Sequence, residues 1–134
     1  ELEKSVVEGA GAAPLAAFLA GKLRSLEGRT VVLTLCGGNI DLTMLDRVIE
    51  TDLVADGRLT RFTVSIADRP GGLARLAEII ASTGASIKEI VHDRAFSGPD
   101  LSAVRVVCVV ETTGPDHVRA LHDTLVAAGV PLVG

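Results

Sequence analysis

The fold of the second half of this chain is decided by one stretch, RFTVSIADRPGGL, at residues 61–73. Within it, Phe62, Val64 and Ile66 alternate with polar residues, and this alternation predicts a strand with one buried face. The residues that follow, 68–72, are rich in Pro and Gly and predict a turn that leads into a helix.

The residues after this turn extend the pattern to a complete small domain. The apolar positions Leu73, Leu76, Ala77 and Ile80 fall on one face of a helix, and Gly84 ends it. Later segments predict strands at 86–94 and 101–111, a hairpin loop at 97–100, a helix that begins at Pro115 and a short strand at 130–133. The last helix has an apolar stripe of Val118, Leu121, Leu125 and Val126. The predicted order is βαββαβ, which is ferredoxin-like.

The first half of the chain does not form a complete domain by the same reasoning. Residues 2–26 predict helix, in which Gly9, Gly11 and Pro14 indicate either a break near 9–14 or close packing that needs small residues. The apolar run at 30–35 predicts a strand buried on both faces. Asp41 is placed to cap a helix over 42–55. One strand and two helices cannot enclose a core, so we expect residues 1–57 to need partners that this chain lacks. The predicted α/β organisation is therefore an incomplete domain at 1–57 followed by a complete one at 58–134.

Composition excludes several classes of function. The formal charge of −4 and the absence of Trp and Tyr argue against a nucleic-acid surface. The longest apolar stretch near the start, 12–20, contains Pro14 and is too short to cross a membrane. The chain begins without Met and has no signal-peptide pattern, and we expect it to be truncated. Two cysteines without paired spacing indicate a reducing cytoplasm.

The second half resembles an ACT domain over about residues 60–134. The resemblance rests on the βαββαβ order and on the turn Asp68-Arg69-Pro70-Gly71-Gly72-Leu73, which matches the D-x-P-G-x-L pattern of that family. It implies an amino-acid effector bound at Asp68, Pro70, Gly71, Gly72 and Leu73, since glycines allow close approach and free N–H groups at a helix start attract a carboxylate. The alternative is that the glycines only make a tight turn and the domain only pairs edge to edge.

The first half resembles the C-terminal end of the catalytic domain of threonine/serine dehydratases. These enzymes depend on pyridoxal phosphate and have the tryptophan-synthase-β fold, also called fold type II. Two segments carry the resemblance, Val6-Val7-Glu8-Gly9-Ala10-Gly11-Ala12 and Cys36-Gly37-Gly38-Asn39-Ile40-Asp41. Their order, and the ACT-like module behind them, make the resemblance specific.

The resemblance implies roles for four residues of this chain. Cys36 would face the pyridine nitrogen of pyridoxal phosphate, where a neutral thiol tunes how strongly the ring withdraws electrons. Glu8 would lie near the edge of the cofactor, and Gly37 and Gly38 would let its ring approach closely. The alternatives are a small buried residue for Cys36 and a helix-start charge for Glu8. Asn39 and Asp41 are assigned to the turn and the cap.

The residues that would carry out catalysis are not found in this chain. None of its three lysines, Lys4, Lys22 and Lys88, lies in the segment that holds the family's Schiff-base lysine, and no Gly-rich phosphate loop is present. We therefore expect no catalytic residue here and no activity of the chain alone. His92, His117 and His122 lack the spacing of a metal site, and no metal is expected.

Two functions remain open from the sequence. The first is the C-terminal portion of a threonine/serine ammonia-lyase, whose intact form would convert L-threonine to 2-oxobutanoate and ammonia. Its expected partners are the rest of the catalytic domain, further copies through ACT–ACT pairing and a small amino-acid effector, without nucleic acid or membrane. The second is a non-catalytic ACT-type module for amino-acid binding or dimerisation, including a free-standing regulatory protein with an N-terminal arm.

Overall fold

The computed structural model describes residues 5–93 and 102–133. Two compact units are formed by residues 1–48 and 49–134. The elements in chain order are α1 (Gly9–Leu19), a 3₁₀ turn (Arg24–Leu26), α2 (Leu42–Ala55), β1 (Leu59–Ala67), α3 (Gly72–Ser82), β2 (Ser86–Asp93), β3 (Ala103–Glu111), α4 (Pro115–Ala127) and β4 (Leu132–Val133). Among the helices of the described residues, none has both the length and the apolar character that a membrane span requires.

The second unit is built on a four-stranded sheet with the order β2-β3-β1-β4. Each neighbouring pair is antiparallel, and β1 pairs with β3 from Leu59 opposite Glu111 to Ala67 opposite Ala103. With α3 after β1 and α4 after β3, this is the predicted βαββαβ order. The prediction of a ferredoxin-like fold, the fold class of ACT domains, is confirmed.

The core of this unit lies between the sheet and the two helices α3 and α4. Val104, Val106, Cys108 and Val110 alternate along β3 and are fully buried. They meet fully buried side chains of the two helices and of β1, namely Leu76, Ile80, Leu121, Leu125 and Val64. These aliphatic groups leave water together, which is the main favourable term for folding this domain.

Two residues of the predicted helix faces lie outside this core. Leu73 is 37% exposed and Val126 is 60% exposed. Val126 follows the buried Leu125 directly, and each step along a helix rotates the side chain by about 100°, so Val126 turns toward solvent. The prediction that it belongs to the apolar stripe was wrong.

The first unit differs from the sequence expectation in two places. Helix α1 runs from Gly9 through Pro14, so of the two predicted alternatives for this segment the break was wrong. Proline keeps a helical φ angle and removes one backbone donor, so this short helix loses one hydrogen bond and continues. The segment 30–35 forms no strand, because a strand needs a neighbour for its hydrogen bonds and the described residues 5–48 contain no other strand.

Residues 5–48 also have almost no core of their own. Gly11 is the single buried residue among them, whereas Val32 is 86% and Leu19 75% exposed. The predicted hairpin loop at 97–100, Arg94 at the end of the predicted second strand, and Lys4 lie outside the described residues.

Candidate functional site

The two signature segments of the first unit lie against each other. The backbone N–H of Glu8 donates a hydrogen bond of 2.6 Å to the carbonyl oxygen of Gly37. Gly37 has a φ angle of +83°, and a Cβ atom placed there would lie 2.7 Å from Oε1 of Glu8. The turn therefore requires glycine at 37, both for its backbone conformation and for the carboxylate beside it.

A second contact between the segments also requires glycine. A Cβ atom on Gly11 would lie 1.6 Å from the carbonyl oxygen of Cys36, so helix α1 approaches the turn at that residue with no room for a side chain. The chain order alone predicts no such contact. The two contacts bring Glu8, Gly11, Cys36, Gly37 and Gly38 together, and we call these five residues the cofactor turn.

The outer side of the cofactor turn is open. The side chain of Cys36 is exposed, and a Cβ atom on Gly38 would find its nearest neighbour at 3.9 Å, the carbonyl oxygen of Val6. A neutral thiol beside two glycines fits the nitrogen side of a flat aromatic ring, because nothing on the glycines obstructs a planar group. The residues present therefore fit pyridoxal phosphate at this edge, and the Cys36 side chain is exposed in this chain.

Asp41 caps the helix that follows this turn. Its Oδ1 accepts hydrogen bonds from the backbone N–H groups of Thr43 at 2.9 Å and Met44 at 3.2 Å. These are the N2 and N3 positions of α2, where a capping carboxylate satisfies otherwise unpaired donors. The assignment of Asp41 to a structural cap is confirmed.

The second candidate site is residues 68–73, the loop between β1 and α3 together with the first two residues of α3, and we call it the effector loop. The backbone N–H of Asp68 donates to the carbonyl oxygen of Ser102 at 2.9 Å, and the N–H of Gly72 donates to that of Arg69 at 3.1 Å. Gly71 has a φ angle of +88° and a ψ angle of −15°, in the left-handed region that favours glycine. These bonds hold the loop in one conformation at the start of α3.

The effector loop borders two clefts. Four of its five predicted contact residues, Asp68, Pro70, Gly71 and Leu73, line a cleft of about 330 Å³. Gly72 lines a second cleft of about 210 Å³ instead. A Cβ atom on Gly72 would lie 2.7 Å from the carbonyl oxygen of Ala67, so this glycine sets the close packing of α3 on β1.

The sequence did not identify one residue of the larger cleft, His92. A register shift between Ile87 and Glu89 changes the alternation along β2, so that Ile90 and His92 pair with the buried Cys108 and Val106. Side chains of directly paired residues lie on the same face of a sheet. His92 therefore lies on the helix-covered side and lines the cleft beside the loop. The strand alone gives no signal for this, because the bulge decides the face.

The other two histidines contact neighbouring residues of the second unit. His117 Nδ1 accepts the backbone N–H of Thr113 at 3.1 Å, and its Nε2 donates to the carbonyl oxygen of Thr83 at 2.9 Å. His122 lies edge-on to Phe62, with ring centroids 5.6 Å apart. Within the part of the chain that the structure describes, no three His, Cys, Asp or Glu side chains are grouped to hold a metal ion.

Cys108 and Lys88 both belong to the second unit. Cys108 is fully buried, and this burial raises the pKa of its thiol from 9.0 to about 11. Lys88 forms an ion pair of 2.5 Å with Glu50. Cys108 is therefore a core residue, and Lys88 makes its ion pair within the second unit.

Relatives of the chain carry names that agree with these segments. The chain is 42% identical over 129 residues to an L-threonine ammonia-lyase of Geobacter sulfurreducens, a match to 96% of this chain and 32% of that protein. It is 37% identical over 136 residues to an L-threonine ammonia-lyase of Thermotoga maritima, a match to the whole chain and 33% of that protein. An L-threonine dehydratase catabolic TdcB of Staphylococcus aureus is 52% identical over 56 residues, 40% of this chain and 16% of that protein.

Two further comparisons complete these findings. No protein-family model matches the chain. Among solved structures, the regulatory subunit of aspartate kinase from Thermus flavus is similar with a TM-score of 0.41 and 20% identity, over 56% of this chain and 52% of that one. The chain spans about a third of the length of the curated L-threonine ammonia-lyases it matches. Over nearly its full length, the chain is therefore homologous to part of the L-threonine ammonia-lyases, and the resemblance indicated by its two signature segments is confirmed.

Proposed function

We propose that this chain is the C-terminal portion of a pyridoxal-phosphate-dependent threonine/serine ammonia-lyase. In this proposal residues 1–57 complete the edge of the catalytic domain, and residues 58–134 form an ACT-type domain that senses an amino acid. The single observation that carries the proposal is the match of 96% and 100% of the chain to two proteins named L-threonine ammonia-lyase. The intact protein would convert L-threonine to 2-oxobutanoate and ammonia.

The cofactor turn supplies the ring-nitrogen contact in this proposal. The exposed thiol of Cys36 would form a hydrogen bond with the pyridine nitrogen of the cofactor. Because this partner is neutral, it would leave the nitrogen without a compensating charge. Gly38 leaves space beside the thiol, and Gly37 holds the turn in its left-handed conformation. When bound, pyridoxal phosphate supplies the electron-withdrawing ring that makes the α-proton of the substrate acidic.

Glu8 acts on the turn rather than on the substrate. Its backbone N–H holds the carbonyl of Gly37, and its carboxylate lies beside the same glycine. We propose that it positions the Cys36–Gly38 segment at the edge of the cofactor. Because no lysine of the described residues lies at this turn, the lysine that binds the cofactor would come from the rest of the catalytic domain.

The exposed apolar side chains of residues 5–48 support an interaction of this unit with the rest of the catalytic domain. Val32, Leu35 and Phe18 are 86%, 47% and 51% exposed, although a run such as 30–35 is typical of a strand buried on both faces. Large apolar side chains left exposed in this number support an interaction surface on this unit. We propose that neighbouring strands of the catalytic domain pair with 30–35 and cover these side chains.

The effector loop supports the sensing role. The cleft of about 330 Å³ is lined by Asp68, Pro70, Gly71 and Leu73, which lie at and just before the start of α3. A helix start attracts a carboxylate through its unpaired N–H groups, which suits an amino acid. We also propose homo-oligomers through ACT–ACT pairing, since β2 is a sheet edge with unpaired backbone groups, and a cytoplasmic location.

The second candidate function is a non-catalytic module for amino-acid binding or dimerisation. It is favoured by the buried core, which lies entirely in residues 49–134 and does not depend on the first unit. The two functions differ in what the first unit does. If it has no catalytic role, changes at Cys36 or Gly38 have no effect on any activity.

The test is an assay of the intact protein with pyridoxal phosphate and L-threonine or L-serine. We expect bound cofactor, seen by its absorbance, together with release of ammonia and a 2-oxo acid. Cofactor binding without a 2-oxo acid from either substrate would reject the lyase and leave a different pyridoxal-phosphate enzyme. Calorimetry of the 134-residue chain with threonine, serine and branched-chain amino acids tests sensing separately, and a stable dimer without heat would support pairing alone.

A further inference from the structure

Helix α2 ends in a defined turn that leads directly into β1. Gly57 has a φ angle of +65°, in the left-handed region, and its N–H donates to the carbonyl oxygen of Val54 at 3.1 Å. The N–H of Arg58 donates to the carbonyl oxygen of Leu53 at 2.8 Å. These two bonds form a Schellman motif, which ends a helix in one conformation. The path of the chain from α2 to the start of β1 at Leu59 is therefore fixed at Gly57.

Thr112 binds this turn from the end of β3. Its backbone N–H donates to the carbonyl oxygen of Arg58 at 2.9 Å, and its hydroxyl donates to that of Gly57 at 2.6 Å. Among the described residues, Thr112 is the one polar side chain that is buried. Because leaving either partner of a buried hydrogen bond unpaired costs free energy, the two bonds hold the end of α2 against β3. We call Gly57, Arg58 and Thr112 the helix joint.

The helix joint also contacts the start of α4. A Cβ atom on Gly57 would lie 3.0 Å from the backbone nitrogen of Pro115 and 3.2 Å from its Cα atom, so there is little room for a side chain between the joint and the first residue of α4. α4 is itself held in the core by the fully buried Leu121 and Leu125. The end of α2 is therefore fixed to two elements of the second unit, β3 and α4.

The opposite end of α4 borders the effector loop. Nη2 of Arg75, near the start of α3, donates a hydrogen bond of 3.4 Å to the carbonyl oxygen of Ala128, which follows the last residue of α4. Ala128 and Gly129 line the cleft of about 210 Å³ that Gly72 of the effector loop also lines. A helix of 13 residues is about 20 Å long. α4 therefore connects the surroundings of the effector loop with the helix joint.

The connection between α2 and β1 is not a flexible linker. Residues 56–58 alone separate the two elements. The N–H of Asp56 donates to the carbonyl oxygen of Asp52 at 2.9 Å, and the next two residues are held by the bonds of the helix joint. Domains move separately when an exposed, flexible linker with few contacts joins them. We therefore expect the end of α2 to move together with the second unit.

We propose that the helix joint transmits the state of the effector loop to α2, with Thr112 as its positioning residue. A small shift of α4 displaces Gly57, because Pro115 and Gly57 are in contact, and shifts of packed helices are a usual form of regulatory change. α2 is continuous from Leu42 to Ala55, and its cap Asp41 stands three positions after Gly38 of the cofactor turn. This inference rests on the proposed function and adds to it the residues that carry the regulatory signal.

Amide hydrogen exchange of the 134-residue chain, followed by NMR, tests the joint itself. Thr112→Val keeps the shape of the side chain without the hydroxyl, whereas Thr112→Ser keeps the hydroxyl. We expect the amides of residues 56–58 to exchange at least tenfold faster in Thr112→Val and within twofold of the unchanged chain in Thr112→Ser, with the amides of α3 as the internal reference. Thr124→Val is the matched control, because the Thr124 hydroxyl donates to the carbonyl oxygen of Ala120 within α4.

Two exchange results would overturn the inference. The first is unchanged exchange at residues 56–58 in Thr112→Val. The second is an equal acceleration at 56–58 and throughout α3, since Thr112 would then only stabilise the whole domain.

The intact protein tests the transmission. The rate of 2-oxobutanoate formation from L-threonine is measured with and without L-valine, L-leucine or L-isoleucine. We expect Thr112→Val to keep kcat and KM within twofold when no amino acid is added, and to show an at least fivefold smaller change in rate when one is added. Thr112→Ser should keep the full response.

The outcomes separate this inference from the proposed function. A full response in Thr112→Val overturns the transmission and leaves the lyase and its sensing domain intact. An unchanged protein that forms 2-oxobutanoate but responds to none of the three amino acids also overturns the transmission and leaves the lyase. Absence of 2-oxobutanoate from the unchanged protein rejects the proposed function, and the transmission with it.

Discussion

The backbone N–H of Glu8 and the carbonyl oxygen of Gly37 are joined by a hydrogen bond of 2.6 Å. This bond brings together the two segments that the sequence marked as signatures, although 28 residues separate them in the chain. Gly11 adds a second contact, at the carbonyl oxygen of Cys36. The cofactor turn is therefore a defined local structure in the described chain, and its glycines can be tested one at a time.

Gly37 and Gly38 should respond differently to alanine. Gly37→Ala forces a left-handed residue to carry a Cβ atom beside the Glu8 carboxylate, and the backbone conformation alone costs about 1 kcal/mol. We expect a lower melting temperature of the intact protein with or without pyridoxal phosphate. Gly38→Ala meets no chain atom closer than 3.9 Å, so we expect an unchanged melting temperature without the cofactor and weaker binding of it.

Scanning fluorimetry and cofactor titration of the intact protein measure both effects. The unchanged protein without cofactor is the reference. An equal loss of stability in the two variants without cofactor would contradict the account of Gly38, because the space beside it would then be filled by the chain.

Cys36 should tolerate serine better than alanine. A hydroxyl keeps the neutral hydrogen bond to the ring nitrogen, whereas a methyl group removes it, and one such bond is worth about 1 kcal/mol. We expect kcat of the intact enzyme to fall by roughly fivefold in Cys36→Ala and to change little in Cys36→Ser. Equal rates for both variants would show that Cys36 has no contact with the cofactor.

His117 should stabilise the second unit through two hydrogen bonds. Nδ1 accepts the N–H of Thr113, and because the oxygen of Thr83 only accepts, Nε2 carries the proton. His117→Ala removes both bonds, and we expect the free energy of unfolding to fall by about 1–3 kcal/mol. Urea unfolding of the chain measures this change.

His92→Ala is the matched control for His117. The His92 side chain is exposed, so its removal should change the free energy of unfolding by no more than about 0.5 kcal/mol. If both alanine variants lose the same stability, the contact of His117 with the end of α3 contributes nothing.

The two cysteines should differ in reactivity. Cys36 is exposed, and Cys108 is fully buried with its pKa raised to about 11. At pH 8 we expect Ellman's reagent to modify one thiol per native chain and two in denaturant. Rapid modification of both thiols in the native chain would contradict the burial of Cys108.

Cys108 should also make the stability of the domain depend on alkaline pH. The native state keeps the proton up to about pH 11, whereas the unfolded thiol loses it near 9.0, so the folded state binds more protons between these values. The contribution of Cys108 to stability is therefore complete below pH 9 and is lost as the pH rises toward 11. A Cys108→Val variant should show a shallower loss over this range in urea unfolding.

Local patterns predicted much of this structure. The alternation of Phe62, Val64 and Ile66 gave the first strand, and Asp41 was recognised as a cap because capping depends on a few adjacent residues. The described residues 5–48 contain no other strand that could pair with 30–35, so the run of apolar residues could not decide its structure here. Likewise the bulge in β2 decides on which face Glu89 and His92 lie, and no residue type at that point predicts it.

The central claim is that a catalytic edge and a sensing domain are joined in this chain. The most direct test is the rate of 2-oxobutanoate formation from L-threonine by the intact protein and by a variant that ends after residue 57, each with and without added branched-chain amino acids. The account predicts that both forms are active and that only the intact protein changes its rate when an amino acid is added. Failure of the intact protein to form 2-oxobutanoate, or an equal response of the shortened variant, would contradict it.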